Sequence, residues 1–142
     1  MDETYQSHGV RFDYPHDWEV AEQAAQNELT ITVQSPETSF WMLTLFFDRP
    51  EPERISEAAL DAFREEYDDL DIYQTQEQIC DEDSIAWDIE FRCLEVYNSA
   101  WVRAFQTDHY SALVLSQGND LELQETQETL RAITQSLGYY YE

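Results

Sequence analysis

The stretch Ile85-Ala86-Trp87-Asp88-Ile89-Glu90-Phe91-Arg92-Cys93-Leu94-Glu95-Val96 decides the fold. In an extended chain Trp87, Ile89, Phe91 and Cys93 point one way, while Asp88, Glu90 and Arg92 point the other. That period of two marks a strand with one face on a core. Tyr97-Asn98-Ser99 then reads as a turn, and Trp101 to Thr107 as the strand that pairs back. Asp108-His109 turns again into an apolar strand from Ala112 to Ser116, and Gly118-Asn119-Asp120 breaks the sheet. Strands joined by such short turns build an antiparallel meander.

Toward the N-terminus the same signals recur. Val10 to Tyr14 alternates and stops at Pro15, and His16-Asp17-Trp18 suits a tight turn that drops an indole onto the core. Leu29 to Val33 alternates Leu29, Ile31 and Val33 with Thr30 and Thr32, and Ser35-Pro36 ends it. Phe40 to Phe47 is almost unbroken apolar sequence, which predicts a central strand buried on both faces. Beyond the proline-rich turn from Asp48 to Pro52, Ser56 is placed to cap a helix, with Glu57 at its positive end. Leu60, Phe63 and Tyr67, with Ala59 beside them, form its core stripe, and the helix is expected to stop near Tyr67. Ile72 to Ile79 reads as a polar, exposed strand and Asp81-Glu82-Asp83-Ser84 as a turn. Leu123, Leu130, Ile133 and Leu137 define a closing helix that Gly138 terminates. The expected fold is α+β: a central antiparallel sheet of about six or seven strands with helices packed on it. A single domain is expected over residues 1–142, with a core from about 9 to 137 and short tails at either end.

Composition fixes the surface. The chain has 142 residues, 42% of them hydrophobic and 14% aromatic, too apolar for an acidic disordered protein. Against 31 acids stand 7 basic residues, all arginine (Arg11, Arg49, Arg54, Arg64, Arg92, Arg103 and Arg131), for a net charge of −24. Binding to nucleic acid needs cations against phosphates, and binding to an anionic membrane surface needs the same, so both are disfavoured. Adaptation to a salty environment is the leading reading of the acidity, because the absence of lysine fits a bias across a whole proteome. A basic partner ranks second and mimicry of nucleic acid third.

Two cysteines, Cys80 and Cys93, are too few for a disulfide framework. They can face each other across a hairpin, but a buried reduced pair is the preferred reading. Met1 to Arg11 lacks the basic and apolar regions of a signal peptide, and no apolar run reaches membrane-spanning length. A cytoplasmic location is therefore expected.

The order of these segments resembles a known superfamily. Phe12-Asp13-Tyr14-Pro15, followed by Asp17-Trp18-Glu19-Val20, is similar to the entry strand of PsbP-like and Mog-like proteins. The strand closing on Ser35-Pro36, the aromatic strand, the helix, the meander and the last helix closing on Ser136-Leu137 also fit. The resemblance runs from about Gly9 to Leu137 and implies an α-β-α sandwich. It also implies protein binding, since the superfamily includes an extrinsic photosystem subunit, a factor for a nuclear GTPase and bacterial DcrB-like proteins, some acting as chaperones. It offers no catalytic motif to carry over.

The residues themselves point the same way. His8, His16 and His109 have no partner at metal-ligand spacing. His16 beside Asp17 is at most half a site. The acid clusters at Asp68-Asp69-Asp71, at Asp81-Glu82-Asp83 and at Asp120, Glu122 and Glu125 lack the spacing and glycine of a calcium loop. No Gly-x-Ser-x-Gly occurs, Cys93 lies on an apolar face, and Gly9, Gly118 and Gly138 are too scattered for a phosphate loop. No catalytic, cofactor-binding or metal residue is assigned. Phe40, Trp41, Phe46, Phe47, Trp87, Phe91, Trp101 and Phe105, with Trp18, outnumber what one sheet face needs, so an exposed remainder would mark an interaction surface. Trp18, Trp41, Trp101, Tyr139 and Tyr140 are the candidates, the last two from the aromatic tail that ends in Tyr141. The expected function is a non-enzymatic protein-binding module, an adaptor or chaperone, with a homodimer as one form of it. The alternative is a small-ligand binder or enzyme with a pocket between sheet and helix, for which His16, Arg92, Arg103 and His109 are the polar candidates.

Overall fold

A computed structural model describes residues 1–140, leaving Tyr141 and its place in the aromatic tail outside the described residues. The chain runs β1 (Glu3–Ser7), β2 (Val10–Tyr14), β3 (Glu19–Ala25), β4 (Glu28–Gln34), β5 (Phe40–Phe46), α1 (Pro52–Glu66) and β6 (Leu70–Thr75). Then come β7 (Gln78–Ile79), β8 (Glu82–Asp83), β9 (Ile85–Cys93), β10 (Val96–Gln106), β11 (Ser111–Asn119), α2 (Asp120–Ser136) and β12 (Gly138–Tyr139). The main sheet has seven strands in the order β3-β4-β5-β11-β10-β9-β6, and every neighbouring pair is antiparallel. The expected α+β sheet is present. A second sheet, β1-β2-β12, and the small β7–β8 hairpin accompany it.

The alternation in β9 does what it predicts. Ile89 and Phe91 pack with Leu60 and Phe63 of α1 and with Ala100 and Val102 of β10, forming one core. The opposite face joins Leu29, Ile31, Val33, Trp41, Leu43 and Leu45 to Leu123, Leu130 and Ile133 of α2. Phe12 of the small sheet stacks on Tyr5 and packs, tilted, against Trp41, and so bolts that sheet to the same core. One helix layer therefore holds α1 alone, while the other holds α2 and the small sheet.

Several boundaries differ from the sequence reading, each for a local reason. Helix α1 begins at Pro52, whose fixed φ suits the first turn; Ser56 is inside the helix, its hydroxyl donating to the Glu53 carbonyl. The turn after β9 is Leu94-Glu95, both at positive φ, so Tyr97, Asn98 and Ser99 belong to β10. Ile72 to Ile79 is not continuous: β6 ends at Thr75, and Gln78–Ile79 pairs with Glu82–Asp83 around a Cys80-Asp81 turn. Gly118 does not break the sheet but lies inside β11, where a Cβ would stand 2.7 Å from Ser39 Oγ and 2.8 Å from Leu123 Cδ2. The tails at both ends are also strands. β1 covers Phe12 through Tyr5, and β12 returns the chain after α2 to pair with β2.

Candidate functional site

The five aromatic candidates scatter. Trp41 is fully buried, and its indole N–H donates to Thr134 Oγ1 at 2.9 Å. Trp18 is 7% exposed, because the turn at Pro15 folds it inward. Neither offers a surface, which corrects their assignment. Trp101 is half-buried. Tyr139 is exposed in β12, and half-buried Tyr140 donates its backbone N–H to the Gly9 carbonyl. The two tyrosines are far from Trp101 in the fold's order: they extend the small sheet rather than the main one.

Trp101 and Arg103 do meet, in a cleft between the sheet and α2 that also involves Glu77, Asp88, Leu130 and Arg131 and holds about 130 Å³. The Arg103 guanidinium is almost wholly buried there. Its Nε donates to Glu77 at 2.6 Å, Nη2 to Asp88 at 2.9 Å and Nη1 to the carbonyls of Trp87 and Val102. Each of its three guanidinium nitrogens thus already has a partner within the protein. The other polar candidates are elsewhere: His16 pairs with Asp2 at 2.6 Å, Arg92 lies over the Tyr97 ring, and His109 occupies the β10–β11 turn.

The acid clusters and cysteines resolve into local structure. Glu122 Oε1 and Oε2 accept from the backbone N–H groups of Ser39 and Thr38, each at 3.0 Å, and from the hydroxyls of Ser35 and Thr38. Burial alone would raise the pKa of this carboxyl, but those bonds to the ionised form hold it down at about 2. Cys80 and Cys93 are both free thiols; burial, aided by Asp81 and Glu82, pushes the Cys80 thiol up to about 12. Among the described residues no group of three or more His, Cys, Asp or Glu side chains is arranged to hold a metal ion, and no helix is long and apolar enough to cross a membrane.

The surface anomaly is on the other side of the sheet. Helix α1 packs on β9, β10 and β11. The registers place Ala21 and Gln23 of β3, Thr30, Thr32 and Gln34 of β4, and Phe40, Met42, Thr44 and Phe46 of β5 on that same side, beyond the helix. Thr30 and Thr44 share a hydroxyl hydrogen bond at 3.1 Å. Phe40, Met42 and Phe46 are half-buried and belong to neither core. Two carboxylates, Glu19 and Glu28, stand at opposite ends of this face, and no other charged residue of β3, β4 or β5 points to it. In a chain of net charge −24, such an uncharged surface is the exception. The unbroken apolar run from Phe40 to Phe47 predicts burial on both faces, but these three residues of β5 are only half-buried. The missing signal is that a single strand cannot reveal which of its neighbours a helix will cover.

The opposite, uncovered corner has the reverse character. There Asp71, Glu90 and Arg92 line β6 and β9 beside exposed Tyr73 and Tyr97. The charges of Asp71 and Glu90, with some loss of hydration, raise the Tyr73 pKa.

An antiparallel sheet between helix layers defines an α-β-α sandwich. Comparison with solved structures places it in the PsbP-like fold. The chain is similar to cyanobacterial PsbP (CyanoP) from Synechocystis sp. PCC 6803, with a TM-score of 0.62 and 11% identity over 97% of this chain and 92% of that one. It is also similar to LpqN of Mycobacterium tuberculosis, involved in cell envelope biogenesis, with a TM-score of 0.60 and 7% identity over 95% and 87%. A Bacteroides thetaiotaomicron protein gives a TM-score of 0.59 and 12% identity; 94% of this chain matches 46% of that longer one. At these identities the likeness is one of fold. No family model and no curated protein matches the sequence.

Proposed function

We propose that this protein is a non-catalytic protein-binding module, of the adaptor or chaperone kind, whose docking surface is the open face of β3, β4 and β5. One observation carries the reading: Phe40, Met42 and Phe46 lie in an uncharged patch outside both cores, on a surface otherwise dense in carboxylates. Interface centres are depleted of charge and enriched in aromatic residues and methionine, the chemistry found here. A contiguous uncharged patch that carries three large apolar side chains costs solubility and calls for a use. The similarity to CyanoP and LpqN, neither described as an enzyme, is in keeping with this.

The cleft at Arg103 supports a ligand-binding role less well. It is smaller than the roughly 300–1,000 Å³ usual for small-molecule sites. Its buried cation is already matched by Glu77 and Asp88.

A photo-crosslinking amino acid at Thr32, compared with one at exposed Gln124 on α2, tests the surface in the native host at native salt. The expected result is a specific protein adduct from position 32 and none from 124. Adducts from 124 alone, or from neither, would refute the proposal.

A further inference from the structure

Building on the docking reading above, we infer that the occupant of the open face is a basic amphipathic α-helix contributed by a partner protein. Three features of the molecule select it. The first is width. Strands β3, β4 and β5 at the usual spacing span about 14 Å, against about 10–12 Å for a helix with its side chains. The space beside α1 thus takes one helix. The second is length. Each of these strands has seven residues, about 23 Å, which matches α1 itself at 15 residues and about 23 Å. A partner helix of that size would complete on β3–β5 the layer that α1 forms on β9–β11.

Charge is the third. The face itself is apolar and uncharged along Phe40, Met42 and Phe46, so the contacting stripe of the partner must be apolar too. The surroundings are acidic: Glu19 and Glu28 mark the two ends, and the whole chain carries −24. An acidic helix, or a second copy of this chain, is repelled on approach, whereas a helix with Lys or Arg on its flanks is attracted. The polar neighbours Gln23 and Thr32 can both donate and accept hydrogen bonds, while Gln34, whose Nε2 already donates to the Glu37 and Ser39 carbonyls, offers only its amide oxygen as an acceptor.

The sequence supplies its own probe. Its two methionines are Met1 and Met42, so methyl labelling of methionine gives one signal on the face and one from the residue that leads into β1, outside it. The test titrates labelled protein with three synthetic 18-residue peptides. One has a Leu stripe at helical spacing with Lys elsewhere, one has Glu for Lys, and one is a scrambled basic peptide without a stripe. The expected result is a saturable shift of the Met42 signal with the first peptide, gain of helix in that peptide, and an unmoved Met1. Binding of the acidic and scrambled peptides is expected to be at least tenfold weaker, and Thr32→Arg should weaken the first by a similar factor. The inference is overturned if Met42 ignores the amphipathic peptide, if the scrambled one binds as well, or if Met42 shifts with protein concentration alone, which would mean self-association. Should crosslinking at Thr32 succeed while the peptide fails, the docking surface stands and the helix does not; if both fail, both readings fall.

Discussion

At the scale of single residues, Glu122 is the side chain that joins the start of α2 to the distant β4–β5 turn. Asn119 caps α2 by accepting from the Glu122 N–H, and the Glu122 carboxylate then reaches out to the β4–β5 turn. A glutamate at this place in a helix usually bonds back to its own cap. Here it ties α2 to Ser35, Thr38 and Ser39, and so sets where the helix lies on the sheet. Its pKa is about 2 in the folded protein against an ordinary 4.5. A lowered carboxyl pKa contributes stability above the unfolded value, and that contribution is lost as the pH falls through the folded one. Glu122→Gln is therefore expected to cost about 1.5–3 kcal/mol at pH 7, the range for charge-assisted hydrogen bonds. Chemical denaturation of both proteins should show the gap closing between about pH 4.5 and pH 2. A gap that persists unchanged at the acid end would assign the loss to packing instead. The cluster of Asp120, Glu122 and Glu125 is visible in the sequence and lacks the spacing of a cation site, but the partners of Glu122 lie more than eighty residues away, where local spacing carries no information.

At the scale of elements, the legible strands were those with a buried face. β4 and β9 alternate because one side faces a core, and β5 is apolar because it sits between β4 and β11. β3 is exposed almost throughout, so Glu19–Ala25 has no pattern to read, and β1 contributes little beyond Tyr5. The turns were illegible for a different reason. With only three glycines, the chain puts other residues at positive φ: Cys80 and Asp81 between β7 and β8, and Leu94 and Glu95 between β9 and β10. Both central residues of each turn are left-handed, the type I′ arrangement that Asn-Gly fits best. Leu94-Glu95 has none of that signature, so Asn98-Ser99 looked like the better turn. Leu94 is 91% exposed and gives up no packing if replaced. The double substitution Leu94→Asn, Glu95→Gly should accordingly stabilise the protein by about 1 kcal/mol, since left-handed backbone costs an ordinary residue roughly 1–2 kcal/mol. Equal or lower stability in urea would mean that the hairpin tip has contacts that compensate for its strain.

At the scale of the whole molecule, the acids divide into those that hold structure and those that set the charge of its surface. Glu122, Glu77 and Asp88 hold structure through hydrogen bonds or the ion pairs of Arg103. Most others are exposed, and seven arginines cannot neutralise them. The repulsion among them is long-ranged in dilute buffer, where the screening length is about 30 Å, and short-ranged at 1 M salt, where it is about 3 Å. Self-repulsion destabilises the compact state, so the melting temperature should rise steadily over that range of salt. Removing an exposed carboxylate should act in the same direction. Glu66 is exposed at the C-terminal end of α1, where negative charge also opposes the helix dipole, and Glu128 is exposed on α2. Glu66→Gln with Glu128→Gln should raise the melting temperature in 10 mM salt and change it little at 1 M. Glu122→Gln should lower it at both, although Glu122 and Glu128 lie on the same helix. If all three substitutions shift the melting temperature alike, the acids form one undifferentiated coat. If the salt dependence is flat, repulsion is not what the molecule works against, and the uncharged face of β3–β5 loses its contrast with the rest of the surface.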